Sequence, residues 1–251
     1  MSAGGKSSRF TVRTKETFTM KIEPIAYFRS PMSSKFGIPR QSGIVPELEG
    51  SIVFRPEYRN EDAVRGIEGY DFLWLIWGFS ANPDKETGSW SPTVRPPRLG
   101  GNKSMGVFAT RSPFRPNPLG LSSVRISRIE HGTPEGTVIH VSGADLMDGT
   151  PVYDIKPYIA YTDSHPEARS GFTGTSPWKE LEVVFPEELQ IKAEAVAGSR
   201  CAGIIAGLLS QDPRPKYHDD ENRIYGMPYG GMDVRFIVKD GQVIVKEIVE
   251  L

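Results

Sequence analysis

The sequence predicts a mainly β protein, with an antiparallel β-barrel N-terminal domain and a smaller α+β C-terminal domain. Three observations predict it. From Lys21 to Tyr161, short runs rich in β-branched and aromatic residues recur between Gly and Pro, a spacing that suits a closed or nearly closed antiparallel sheet. After Thr162 the pattern turns helical, and the last residues return to β-branched runs on either side of Asp240-Gly241. The chain of 251 residues is long enough to give a main domain and an appendix their own cores.

In order, residues 1–20 read as a flexible tail. Lys6, Arg9, Arg13 and Lys15 lie among Ser, Thr and Gly, with no apolar stretch to make a signal peptide. The barrel domain, residues 21–161, draws strands from Ile22–Phe28, Ser51–Phe54, Phe72–Phe79, Met105–Thr110, Leu121–Ile129, Thr137–Ser142 and Pro151–Tyr161. The run Phe72-Leu73-Trp74-Leu75-Ile76-Trp77 does not alternate, which predicts a strand covered on both faces by a helix or a partner subunit. Asn60, ahead of Glu61 and Asp62, is placed to cap a short helix reaching Arg65. Residues 162–180, rich in Ser, Gly, Thr and Pro, form a linker. In the C-terminal domain, residues 181–251, Pro186 opens one helix and Ser199 caps a second, whose apolar side holds Cys201, Ile204, Ile205, Leu208 and Leu209. Asp212-Pro213-Arg214-Pro215 ends it, and the closing hairpin turns at Asp240-Gly241 with type I′ chemistry.

Several function classes are excluded. One cysteine, Cys201, allows no internal disulfide and suits a reducing, cytoplasmic compartment. No window approaches the roughly 18 apolar residues of a membrane helix. The four histidines lack metal-ligand spacing with Cys201, so no metal is expected. Gly100-Gly101-Asn102-Lys103-Ser104 lacks the first glycine of a P-loop, and neither a Rossmann fingerprint nor a G-x-S-x-G elbow is found.

Charge is segregated. Between Gly88 and Ser127 lie Arg95, Arg98, Lys103, Arg111, Arg115 and Arg125 with no Asp or Glu, although the net charge is only −1. Arginine predominance favours bidentate recognition of carboxylate or phosphate. Prolines at 92, 96, 97, 113, 116 and 118 stiffen these loops, lowering the entropy of ordering them around a ligand. A merely solvated basic face does not require that stiffness. A second polar run, Gly143 to Pro151, is either an ordinary turn or a loop whose carboxylates meet a polar ligand. Beyond it, Asp154, Lys156 and Tyr158 fall on one side of a strand, either as a site or as an ion pair beside a ring.

Ile38-Pro39-Arg40-Gln41-Ser42-Gly43, Arg95 to Asn102, Gly106 to Gly120, Asp148-Gly149-Thr150-Pro151 and Asp154-Ile155-Lys156-Pro157-Tyr158 together closely resemble the TsaA-like family over residues 21–161. Asp212-Pro213-Arg214-Pro215 with Tyr217 resembles the family's second-domain motif. The resemblance implies a β-barrel methyltransferase that uses S-adenosylmethionine, works as a homodimer and acts on threonylcarbamoyl-adenosine beside the anticodon of tRNA.

Carried over by motif, cofactor contacts fall on Pro39, Arg40, Gln41, Arg111, Leu121, Asp148, Gly149, Thr150 and Pro151, with a further pair at Ser80 and Ala81. Many members carry a His followed by Gln or Lys at that pair, so here a side-chain contact is lost or made by backbone. Arg40 or Arg111 suits the cofactor carboxylate, and Asp148 its amine or ribose hydroxyls. The Asp154, Lys156 and Tyr158 group is expected near the transfer step. Arg95, Arg98, Lys103, Arg115, Arg214 and Tyr217 are expected to hold anticodon stem-loop phosphates and stack an unpaired base. The alternatives are a non-catalytic module that binds the cofactor or RNA, and a small-molecule methyltransferase.

Overall fold

Strands that are apolar on one side only can close on themselves, and this chain does so. The computed structural model describes residues 21–81, 90–176, 178–215 and 220–251; the expected tail and Tyr217 lie outside them. The first strands are β1 (Ala26–Arg29), β2 (Glu49–Phe54) and β3 (Phe72–Gly78). A two-stranded ribbon follows, β4 (Thr93–Val94) with β5 (Met105–Gly106). Then come β6 (Leu119–Thr133), β7 (Gly136–Ser142) and β8 (Pro151–Pro157). The barrel closes in the order β1-β2-β7-β6-β3-β8, every pair antiparallel. Its interior is filled by Phe28, Ile52, Leu73, Leu75, Ile139 and Val152. Gly120 is needed there, because a Cβ at that position would come within 2.2 Å of the Trp77 ring.

The structure amends several expected elements. The strand expected over Met105–Thr110 stops at Gly106, where a 3-10 turn (Val107–Ala109) buries Val107 and the Thr110 hydroxyl donates to the Val107 carbonyl at 2.9 Å. The final barrel strand ends at Pro157, and Tyr161 belongs to the short helix α1 (Ala160–Asp163). The strand expected from Leu121 to Ile129 runs longer, from Leu119 to Thr133. Asn60 does cap, accepting from the Asp62 N–H at 3.0 Å, but the turn it opens (Glu61–Val64) is 3-10.

β3 is not covered by a long helix. Leu73, Leu75 and Trp77 enter the core, while Phe72, Trp74 and Ile76 face outward, half covered. Trp74 meets the Tyr158 ring at 5.7 Å and donates through Nε1 to Asp163 in α1 at 2.9 Å.

After α1 and the short α2 (Phe172–Thr175), the C-terminal region contains β9 (Glu182–Val184), α3 (Glu187–Ala197), α4 (Cys201–Ser210), β10 (Tyr225–Tyr229), β11 (Met232–Lys239) and β12 (Gln242–Glu250). The sheet order is β10-β11-β12-β9, with β9 parallel to β12. Pro186 precedes α3, and Glu187 and Glu188 in its first turn suit the helix dipole. Ser199 does not cap α4. Arg200 occupies the N-cap position in helical conformation and no side-chain cap bond forms. The apolar face expected for α4 is buried as the spacing required. Asp212, at φ 46°, turns the chain into the left-handed region and Pro213 prevents continuation. Asp240 and Gly241 both have positive φ, as a type I′ hairpin demands.

This second core also takes Met32, Val45 and Leu48 from the segment between β1 and β2. Gly37 of the same segment lies so close to Met227 that a Cβ would approach its sulfur to 2.4 Å. The segment is thus clamped onto the C-terminal sheet. Leu48→Ala is expected to cost about 2–5 kcal/mol, the usual penalty for emptying a buried leucine site. Urea denaturation followed by circular dichroism checks it.

Candidate functional site

Register on the outer face of the barrel brings separate motifs together. Leu121 of β6 pairs with Ile76 of β3, and Ile76 pairs with Asp154 of β8, so the three side chains share one outward row. Two strand spacings, roughly 10 Å, separate Leu121 from Asp154. The next outward row is Ser123, Trp74 and Lys156. Beyond it Arg125 covers the Phe72 ring at 4.6 Å, and the Tyr158 N–H donates to the Phe72 carbonyl.

Asp154 and Lys156 form an ion pair of 2.9 Å with both side chains about half exposed or more. The other Asp154 oxygen accepts the Ile155 N–H at 3.0 Å. Tyr158 lies past the end of β8, its ring against Trp74 and Phe72. Of the expected trio, Asp154 and Lys156 are in contact with each other, whereas Tyr158 meets the rings of Trp74 and Phe72.

At the barrel end, Arg111 donates to the Gln41 side-chain oxygen, linking the basic stretch to the loop after β1. Arg40 is engaged elsewhere. Its guanidinium lies 3.8 Å from the centre of the Trp178 ring and reaches the Asp212 carbonyl at 3.4 Å, tying the loop to the C-terminal region. Pro39 beside it is buried. Ser80 and Ala81 form an exposed turn after β3.

The run Asp148 to Pro151 is partly committed to the fold. Gly149, at φ 72°, donates to the Phe28 carbonyl at 2.8 Å, and the buried Thr150 hydroxyl donates to the Met147 carbonyl at 2.7 Å. Pro151 starts β8 opposite Tyr27. The Asp148 carboxylate is exposed, accepts the Ser30 N–H at 3.0 Å and lines a cleft of about 510 Å³ with Arg29, Ser51, Arg128 and His140. Arg29 there pairs with Glu135, and the His140 ring lies within hydrogen-bonding distance of Glu130 at 3.1 Å.

Asp145, from the same loop, was not singled out by sequence reasoning. Its partly buried carboxylate accepts the Ser122 hydroxyl at 2.5 Å, and Ser122 in turn accepts Trp77 Nε1 at 2.9 Å. Burial pushes the Asp145 carboxyl above the ordinary carboxylate range, against the pull of Ser122, Arg111 and the Ser42 N–H. The available signal was a carboxylate between Ala144 and Leu146, both of which are buried.

Among the expected RNA contacts, Arg95 and Lys103 are exposed. Arg98 donates to the Thr173 carbonyl at 3.2 Å, and Arg115 to the Thr110 carbonyl at 3.1 Å while lying 6.0 Å from the Phe108 ring. Arg214 forms a bidentate pair with Asp212 at 2.8 and 3.2 Å. Two further residues join this surface: Trp90 and Phe108, 46% and 70% exposed, with ring centroids 5.8 Å apart. Aromatic residues interleaved with Arg and Pro were the sequence signal. Among the described residues no cluster suits a metal ion, and no helix is long and apolar enough to cross a membrane.

Comparison with known proteins gives consistent matches along the chain. The family described as tRNA-methyltransferase O N-terminal domain matches residues 27–164, and TrmO C-terminal domain matches residues 178–251. A tRNA (adenine(37)-N6)-methyltransferase of Escherichia coli is 38% identical, covering 88% of this chain and 94% of that protein. A protein of the same description from Eikenella corrodens is 46% identical over 63% of this chain and 87% of its own. A Pseudomonas aeruginosa protein described as a putative S-adenosylmethionine-dependent methyltransferase is 40% identical over 87% of this chain and 92% of its own. The crystal structure of TrmO from Pseudomonas aeruginosa superposes with a TM-score of 0.73 at 30% identity, covering 93% of this chain and all of that one.

Proposed function

The chain belongs to the TrmO family, and from that premise we propose that it is a tRNA methyltransferase that transfers a methyl group from S-adenosylmethionine to N6 of adenosine 37, with threonylcarbamoyl-adenosine as the preferred form. The observation that carries this reading is the outward row Leu121–Ile76–Asp154, which sets a proposed cofactor contact and a proposed proton acceptor about two strands apart on one face. The residues fit the cofactor. Arg111, steadied by Gln41, offers a guanidinium to its carboxylate.

The bound cofactor supplies an activated methyl on a sulfonium. The chain must therefore hold the acceptor nitrogen in line with that carbon and take up the N6 proton as the N–C bond forms and the methyl–sulfur bond breaks, its electron pair staying on the departing thioether. Asp154 is the proposed acceptor of that proton. Lys156 holds the carboxylate in place through its other oxygen, and Trp74 with Tyr158 forms an aromatic wall beside the pair. Cofactor contacts are proposed at Pro39, Gln41, Ser80, Ala81, Arg111, Leu121 and the Asp148–Pro151 run; Arg40 serves the loop through Trp178 and Asp212.

RNA contacts are proposed at Arg95, Arg98, Lys103, Arg115 and Arg214, with Tyr217 beyond the described residues. Trp90 and Phe108 add ring faces on which an unpaired base stacks. Trp90→Ala and Phe108→Ala are each expected to weaken tRNA binding about 5- to 50-fold and leave cofactor affinity unchanged. Filter binding and calorimetry check the two separately. In this reading two copies associate in the cytoplasm, a second copy covering the exposed Leu119 on β6. Light scattering that gives a monomer mass contradicts the dimer.

Isotopically labelled S-adenosylmethionine, incubated with tRNA bearing or lacking the threonylcarbamoyl group, tests the function. Label should enter the bearing tRNA and little of the other. If neither is labelled, the enzyme reading fails.

A further inference from the structure

One carboxylate oxygen at the edge of the aromatic wall takes two hydrogen bonds from different elements. Trp74 of β3 donates Nε1 to Asp163 Oδ2 at 2.9 Å, and the N–H of Ile159, two residues past β8, donates to the same oxygen at 2.9 Å. The Asp163 N–H in turn donates to the Ile159 carbonyl at 2.8 Å, so α1 and the chain leaving β8 clasp each other around the group that holds the indole. Trp74 shares its outward row with Ser123 and Lys156, next to the row of Leu121, Ile76 and Asp154. We propose that Asp163 is a positioning residue, which locks the Trp74 indole as the face on which the purine of the acceptor nucleotide stacks.

Asp163 is only half-buried, so the Ile159 N–H and water would satisfy it without the indole. The main consequence of the Trp74 bond therefore falls on Trp74. An outward tryptophan on a barrel strand has several rotamers open to it, and a bond to an ionised acceptor selects one. The Ile159 N–H and then the Trp74 indole hold the Asp163 carboxyl below the ordinary carboxylate range, which keeps it charged at neutral pH. With Nε1 committed, Trp74 has only its ring faces to offer a ligand, and the Tyr158 ring, tilted by 44° at 5.7 Å, flanks it. Outward rows lie roughly 6–7 Å apart along the strands. A purine with N6 at Asp154 and the cofactor on the Leu121 side thus extends its ring over the Trp74 row. A ring already fixed for stacking loses little freedom when the base arrives.

The inference rests on the reading of this face as the site of methyl transfer to adenosine, and the test separates the two. Steady-state kinetics with threonylcarbamoylated tRNA is the experiment, on wild type, Asp163→Ala, Asp163→Asn, Trp74→Phe and the double variant Asp163→Ala/Trp74→Phe. We expect Asp163→Ala to lower kcat/KM for tRNA about tenfold, mainly through KM, with cofactor affinity by calorimetry unchanged. Asp163→Asn, whose amide oxygen accepts both bonds, should stay within about threefold of wild type. Trp74→Phe, which removes the N–H and shrinks the ring, should lose at least as much as Asp163→Ala. The double variant should fall no more than about twofold below Trp74→Phe, because the carboxylate acts through the indole.

A merely structural clasp would give losses that multiply in the double variant and would lower cofactor affinity as well. That result, wild-type kcat/KM in Asp163→Ala, or failure of Asp163→Asn to restore it overturns the positioning role alone. If Asp163→Ala does not fold, Trp74→Phe decides by itself, and an undiminished kcat/KM there overturns the stacking face. A wild-type protein that methylates no tRNA overturns the functional reading and this inference with it.

Discussion

Asp154→Asn is expected to lower kcat for methyl transfer about 100- to 10,000-fold, the range over which a positioned general base acts. The substitution is nearly isosteric. Its amide oxygen still accepts the Ile155 N–H, now at 3.0 Å, so the local backbone is preserved. What disappears is the carboxylate proposed to take up the N6 proton. The ion pair with Lys156 is lost as well, but both partners are substantially exposed and such pairs contribute little to stability. Thermal unfolding should therefore be nearly unchanged, and affinities for cofactor and tRNA should stay within about threefold. Single-turnover kinetics with pre-bound substrates isolates the step. Near-normal turnover in the variant removes Asp154 from the chemistry.

Arg111→Ala is expected to weaken S-adenosylmethionine binding about 10- to 100-fold, the loss of one charge-assisted hydrogen-bonding group at a carboxylate. Arg111 is exposed and its partner Gln41 remains, so the fold should persist. Arg111→Lys should restore only part of the loss, because an ammonium cannot reproduce the planar fork. Affinity by calorimetry checks both variants. Equal affinity in wild type and Arg111→Ala would move the carboxylate site elsewhere.

Much of the barrel was legible because strand burial has a period of two and the turns carry their own chemistry. Asp240-Gly241 and the Asn60 cap are examples in which local residues decide local geometry. Register was not legible, since pairing Leu121 and Asp154 with the same Ile76 depends on non-local closure. The strand expected at Met105–Thr110 failed for a local reason: Val107 packs inward and the chain tightens into a 3-10 turn. The Ser199 cap failed because the helix starts one residue later than a cap there would require, at Cys201.

Site residues divided along similar lines. Arg111, Asp154 and Lys156 stood out through residue type and motif. Arg40 looked equivalent to Arg111 in sequence, yet Trp178, far along the chain, claims its guanidinium. Asp145 passed as one acid in a turn-forming run because its hydrogen-bond partner, Ser122, comes from a different strand, which no local pattern reveals. Nor did spacing indicate that Met32, Val45 and Leu48 complete the second core, from a segment whose Arg40 also reaches the Asp212 carbonyl.

The most direct measurement is nucleoside analysis by mass spectrometry of threonylcarbamoylated tRNA after incubation with the purified protein and S-adenosylmethionine. The account predicts that threonylcarbamoyl-adenosine gains one methyl group, located on the base-attached nitrogen by fragmentation, and that Asp154→Asn yields almost none. A methyl group on another nucleoside, or unchanged tRNA from a protein that binds both ligands, would contradict it.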